Sequence, residues 1–181
     1  MQPNKARADL MMDALLVAFL IGFDVAARLL PHAPGFMPVA ASGLFAARVL
    51  RLPALAVIVP IAAMLVSGIA MGPDDWRVSL VVYAALTLPA LAGMLSRRWS
   101  GAAPILATMI SCSLAFFALS NFAVWAFSGM YPSTWQGLTQ CYVAALPFLD
   151  KTVMGDLFWT AVLFGGAWLV QHGPALARRP L

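Results

Sequence analysis

"MDALLVAFLIGFDVAARLL", residues Met12 to Leu30, is an apolar run interrupted by Asp13, Asp24 and Arg28 and stopped by Pro31. A helix rises 1.5 Å per residue, so about 20 apolar residues cross the roughly 30 Å hydrocarbon core of a bilayer. The run has that length. It follows Lys5 and Arg7, as the apolar core of a signal peptide would. Asp9 and Asp13 interrupt the approach, however, and Asp24 and Arg28 stand where small residues would mark a cleavage site. The run therefore reads as a retained transmembrane helix.

The rest of the chain has the same character. Of 181 residues, 62% are hydrophobic and 10% charged, none is glutamate, and the mean hydropathy is +0.88. Soluble domains carry about 25% charged residues. The fold class that follows is an all-α integral membrane protein, a single transmembrane domain over residues 1–181 with no room beside it for a soluble catalytic domain. The net charge of +4 does not indicate a nucleic-acid partner, because the basic residues fall at helix ends, where topology accounts for them. Cys112 and Cys141 have no metal or redox spacing.

Six spans are expected: Met12–Leu30, Phe36–Leu50, Leu52–Met71, Val78–Leu95, Ala102–Ser128 and about Thr152–Gln171. Pro60 and Pro89 fall inside two of them, Pro60 as an expected kink. With six spans, Lys5, Arg7, Arg48, Arg51, Arg97, Arg98, Arg178 and Arg179 share one side, and only Arg28, Arg77 and Lys151 fall towards the other. The positive-inside rule then puts both termini in the cytoplasm. Asp74, Asp75, Asp150 and Asp156 lean to the outer face. The one long connection, Tyr131–Lys151, is rich in aromatic and apolar residues. It is expected to be a partly helical outer segment, either a lid over a site or an aromatic anchor at the membrane surface.

Several residues stand out within this frame. Ala14, Ala18, Gly22 and Ala26 recur every fourth position on the first helix, a stripe that lets another helix approach closely. The approaching helix belongs either to a partner protein or to the same bundle. Asp24 and Arg28 are four apart, the spacing at which opposite charges pair on a helix. Ionisable groups within a span are costly unless paired or facing a cavity, so Asp24 is either a pocket residue or half of a structural pair that ties helix one to its neighbours. In "SNFAVW" (Ser120–Trp125), Asn121 sets an amide among aromatic rings, a small-molecule lining or a packing clamp. The outer segment adds Tyr131, Trp135, Gln140, Cys141 and Tyr142, and Asp156 enters the last helix just after Gly155. The candidate ligand-binding set is thus Asp24, Arg28, Asn121, Trp125, Tyr131, Trp135, Gln140, Cys141, Tyr142 and Asp156. Capture would lie between helices one, five and six, with Asn121 and Asp24 beneath the lid. A metal role for Cys112, Cys141 or His32 has no clustered spacing behind it. No zinc-protease motif, nucleotide-binding glycine loop or glycine-serine elbow occurs, so no catalytic residue and no cofactor is assigned.

Two resemblances enter on particular strings. "RLLPHAPGFMPVAASGLFAA" (Arg28–Ala47) and "NFAVW…YPSTWQGLTQCYVAALPFLDKTVMGDLFWTAVLFG" (Asn121–Gly165) resemble the marks of an uncharacterised family of small bacterial six-helix membrane proteins. That family carries no activity to import. Six helices, cytoplasmic termini, a short second helix and the stripe on helix one are also similar to the S components of energy-coupling factor transporters. This second resemblance implies a vitamin- or cofactor-like ligand captured at the outer face, and a transmembrane coupling partner docked on Ala14, Ala18, Gly22 and Ala26. No motif for a particular vitamin is present, nor a histidine-rich amino terminus. The expected function is small-molecule capture or transport with a partner complex, in contact with the lipid bilayer. Its rivals are a structural or assembly subunit of a larger membrane complex and a small intramembrane enzyme.

Overall fold

The computed structural model describes residues 3–31, 35–72 and 75–176. His32, Asp74, Arg178 and Arg179 lie outside the described residues. The described residues form α1 (Pro3–Leu29), α2 (Val39–Val49), a 3-10 turn (Pro53–Val57), α3 (Ile58–Met71), α4 (Trp76–Leu86), α5 (Leu88–Leu95), a second 3-10 turn (Ser96–Arg98), α6 (Ala102–Phe127) and α7 (Trp135–Leu176). No strand occurs among them. Five stretches are long and apolar enough to cross a membrane: 7–29, 53–71, 76–98, 102–127 and 135–172. The chain is an all-helical protein suited to a membrane.

The short helix α2 is the axis of the bundle. Every residue from Val39 to Ala47 is buried. The helix packs on α1, α3, α5 and α7. A helix that is apolar on all sides belongs in an interior, and the run of alanine, serine and glycine in "VAASGLFAA" lets its neighbours come close. One core layer joins Leu20, Phe45, Val59 and Ala90, with Phe164 edge-on to Phe45 at 5.1 Å. A second joins Val39, Leu44, Met64, Leu86 and Met109. Large apolar side chains such as Phe19, Ile69, Leu95 and Val170 face outward, which suits contact with lipid.

Prolines set the breaks. Proline lacks an N–H and its ring crowds the carbonyl four residues back. Pro60 falls in the first turn of α3, directly after the 3-10 turn Pro53–Val57, where a missing N–H is tolerated. Pro89 instead divides the predicted fourth span into α4 and α5 at Thr87, whose hydroxyl donates to the Ala84 carbonyl. Pro147 lies within α7 without ending it.

The last helix differs most from expectation. Thr152 begins nothing: α7 runs unbroken for 42 residues, about 63 Å at 1.5 Å per residue. Residues 135–151 form its first turns and lie along α6, not across the mouth of the bundle. The indole of Trp125 donates to the Pro132 carbonyl at 3.1 Å, Cys141 meets the Asn121 carbonyl at 3.4 Å, and the Tyr142 hydroxyl donates to the Ala118 carbonyl at 2.6 Å. Sequence composition marked this segment as interfacial. It did not show that the helical period continues through the Asp150–Lys151 pair.

Polar ties close one end of the bundle. Arg51 pairs with Asp9, and Asp13 accepts from the backbone N–H groups of Arg51 at 3.0 Å and Leu52 at 3.1 Å. Arg48 donates to the Ser96 and Trp99 carbonyls, and Arg97 to the Leu50 carbonyl. The connection after α2 is thereby fastened to α1 and α5 at the end where the basic residues collect.

Candidate functional site

At the opposite end an open groove of about 720 Å³ is bounded by α3, α4 and the last turn of α6. Arg28, Met71, Asp75, Ser79, Tyr83 and Ser128 line it. Beneath lies a smaller cavity of about 100 Å³ between α2, α4, α6 and α7. Its walls are largely apolar, with Cys112, Ser113, Thr152 and Asp156 as the polar members from α6 and α7.

Arg28, Met64 and Val82 border both spaces. Arg28 leaves the last turn of α1 at the point where the groove meets the cavity. Its Nε donates to the Ser67 hydroxyl at 2.7 Å, and its two Nη groups approach the sulfurs of Met37 at 3.4 Å and Met71 at 3.6 Å. The guanidinium is therefore held by α3 and by the residues leading into α2.

Two buried carboxyls sit in the helices below. Asp24, fully buried, accepts from Ser42 at 2.7 Å through one oxygen, and among the described residues the other oxygen has no partner. Asp156 is 5% exposed and accepts from Ser113 at 2.6 Å. A carboxyl in a low-dielectric interior is costly without such donors. Each is placed by a serine on a facing helix, α2 for Asp24 and α6 for Asp156.

The predicted site residues thus separate into groups. Arg28 and Asp156 meet at the inner cavity. Asp24 is close by on α1, yet it lines neither the cavity nor the groove. Asn121, Trp125, Cys141 and Tyr142 join α6 to the first half of α7, and the Asn121 amide is used by the Phe117 carbonyl of its own helix at 2.8 Å. Trp135 and Gln140 are exposed and Tyr131 half-buried, all at that outer junction. Among the described residues, neither Asn121 nor Asp24 lines the groove or the inner cavity. Ser42, Ser67 and Ser113 went unnoticed in the sequence. Their signal was present, since a hydroxyl in an apolar helix must find a partner there. Among the described residues no cluster of three or more His, Cys, Asp or Glu side chains could hold a metal ion.

The stripe on α1 has a plain disposition. Ala14, Ala18, Gly22 and Ala26 are all exposed, while Asp13, Leu20 and Asp24 on the other face are buried. A side chain added at Gly22 would meet nothing within 4 Å. The stripe is an outer face of the bundle.

The chain matches no curated protein and no solved structure. It does match one protein family over nearly its whole length. The chain belongs to the family of unknown function DUF6580, whose sequence pattern matches residues 9–176.

Proposed function

We propose that the protein is a membrane-embedded component that captures a small molecule from the outer side of the bacterial inner membrane and passes it on with a partner complex. In this reading the chain crosses six times, α2 being the short second pass, with both termini in the cytoplasm and an architecture like that of S components. The observation that carries it is the position of Arg28, shared by the open groove and the inner cavity. A ligand enters the groove, passes the guanidinium and reaches Asp156 and Ser113. The groove has the size of ordinary ligand pockets, roughly 300–1,000 Å³. The cavity is smaller, so the seated ligand is smaller than the vitamin-like molecule that the resemblance to S components implies. The exposed stripe Ala14, Ala18, Gly22 and Ala26 is the face offered to a coupling partner's helix.

Native mass spectrometry of gently purified protein tests the reading. A small molecule retained by the wild type and lost from Arg28→Gln and Asp156→Asn is expected. Wild-type protein that is monodisperse yet carries no molecule, and gains none from a cell extract, contradicts it.

A further inference from the structure

Building on the capture reading, we infer that the inner cavity takes a compact organic cation, a short primary ammonium whose charge is met by Asp156. Asp156 borders the cavity of about 100 Å³ and is only 5% exposed. Its Oδ2 accepts from the Ser113 hydroxyl at 2.6 Å. Its Oδ1 has no partner among the described residues and, unlike Asp24 Oδ2, is not sealed off by the surrounding atoms. Among the described residues no cationic side chain pairs with it. Arg28 supplies no such charge, because Ser67, Met37 and Met71 already engage it and its charge acts on Asp24. An ionisable group inside a span is costly unless it faces an opposite charge or a cavity. Asp156 has the cavity, and the opposite charge comes with the ligand.

The walls decide which cation. Hard metal ions such as calcium take roughly six to eight oxygen ligands. The side-chain oxygens at this cavity are fewer, those of Asp156, Ser113 and Thr152. Thr152 and Asp156 are four apart on α7, a spacing that puts two side chains on one face, and Ser113 meets the same carboxyl from α6. Thr152 spends its hydroxyl hydrogen on the Phe148 carbonyl and Ser113 spends its own on Asp156, so both oxygens keep lone pairs that accept. Together with Asp156 Oδ1 they match the three N–H donors of an ammonium. The bond to the carboxylate is charge-assisted and roughly twice as strong as a neutral one. Met64, Leu86, Met109 and Phe116 are among the apolar walls and suit a short alkyl chain. A water molecule's share of liquid volume is roughly 30 Å³, so the space holds a few carbons and excludes long or branched ligands.

Three probes of one size separate the possibilities: propylamine with an ammonium, 1-propanol with no charge, and propionate with a carboxylate. The measurement is equilibrium binding to purified full-length protein in nanodiscs of phosphatidylcholine, a lipid without net charge to attract amines. Propylamine should bind saturably, with 1-propanol and propionate each weaker by about tenfold or more, as expected for loss of one charge-assisted hydrogen bond. Asp156→Asn should bring propylamine down to the level of 1-propanol without changing 1-propanol itself. Ser113→Ala, which keeps the acid, should retain the preference for the amine. Propylamine that binds no tighter than 1-propanol, or whose affinity is untouched by Asp156→Asn, overturns the inference. So does potassium that displaces propylamine at equal concentration, since the site would then take any cation. A retained species without a cationic nitrogen, found by native mass spectrometry, overturns the inference and leaves the capture reading standing. A protein that retains nothing and binds none of the three probes overturns both.

Discussion

The Ser113 hydroxyl donates to Asp156 Oδ2 at 2.6 Å, a bond that joins α6 to α7 at the wall of the inner cavity. Ser113→Ala removes that donor and leaves a buried acceptor without a partner, which costs about 1–3 kcal/mol. Asp156→Asn keeps the size of the side chain and an oxygen to accept from Ser113, so it should cost less. Unfolding of both variants in detergent checks the order. Equal stability of Ser113→Ala and wild type would show that the bond contributes nothing.

Gly93 and Gly22 should respond in opposite ways to alanine. A Cβ at Gly93 would lie 2.8 Å from the Ala47 Cβ and 3.0 Å from Leu44 Cδ1, in the tight contact of α5 with α2. Overpacking of that kind costs about 1–3 kcal/mol. Gly22 has open space, and alanine there gains up to about 1 kcal/mol of helix propensity. The bulkier Ala18→Trp and Gly22→Leu should also leave the isolated protein folded, while abolishing copurification with a coupling partner. Unfolding of either variant would place the stripe against another part of the chain.

Tyr142→Phe should weaken the junction of α6 with α7 by about 0.5–1.5 kcal/mol through loss of the bond to the Ala118 carbonyl, and leave ligand retention unchanged. Hydrogen exchange at the start of α7 reads the first effect and native mass spectrometry the second. A loss of retained ligand without a change in exchange would return Tyr142 to the binding site.

Reporter fusions at each terminus should both report the cytoplasm. Arg48, Arg51, Arg97 and Arg98 gather at the end of the bundle that holds Asp9 and Asp13, as the positive-inside rule requires of a cytoplasmic face. An external carboxy terminus would remove the six-pass arrangement.

Much of this fold was legible in the sequence because hydrocarbon imposes simple rules. Apolar runs of span length mark helices, and the starts of α6 and the ends of α3 and α5 fall within two residues of expectation. The division at Thr87 was signalled by Pro89, but Pro147 gave the same signal and α7 continues through it. A proline states what bond is missing, not whether neighbours keep the helix straight. The site was half legible. Arg28 and Asp156 declared themselves as charges among apolar residues. Asn121, Trp125 and Tyr142 offered equally strong signals, but the Asn121 amide serves its own helix, Trp125 ties α6 to the turn before α7, and Tyr142 ties α7 to α6. A polar group in an apolar helix shows that a partner exists. Whether that partner is protein or ligand depends on packing between distant segments, as between Ser113 and Asp156.

Cys112 gives the most direct measurement of the central claim, that the inner cavity communicates with the outer groove past Arg28. It borders the cavity, and Cys141→Ser removes the other thiol. A small membrane-impermeant thiol reagent added from the outer side of oriented vesicles should modify Cys112 slowly in the wild-type background and faster in Arg28→Ala. A small molecule retained on purification should protect it. Cys112 that reacts only from the inner side, or that reacts only after denaturation whether or not Arg28 is present, would contradict the account.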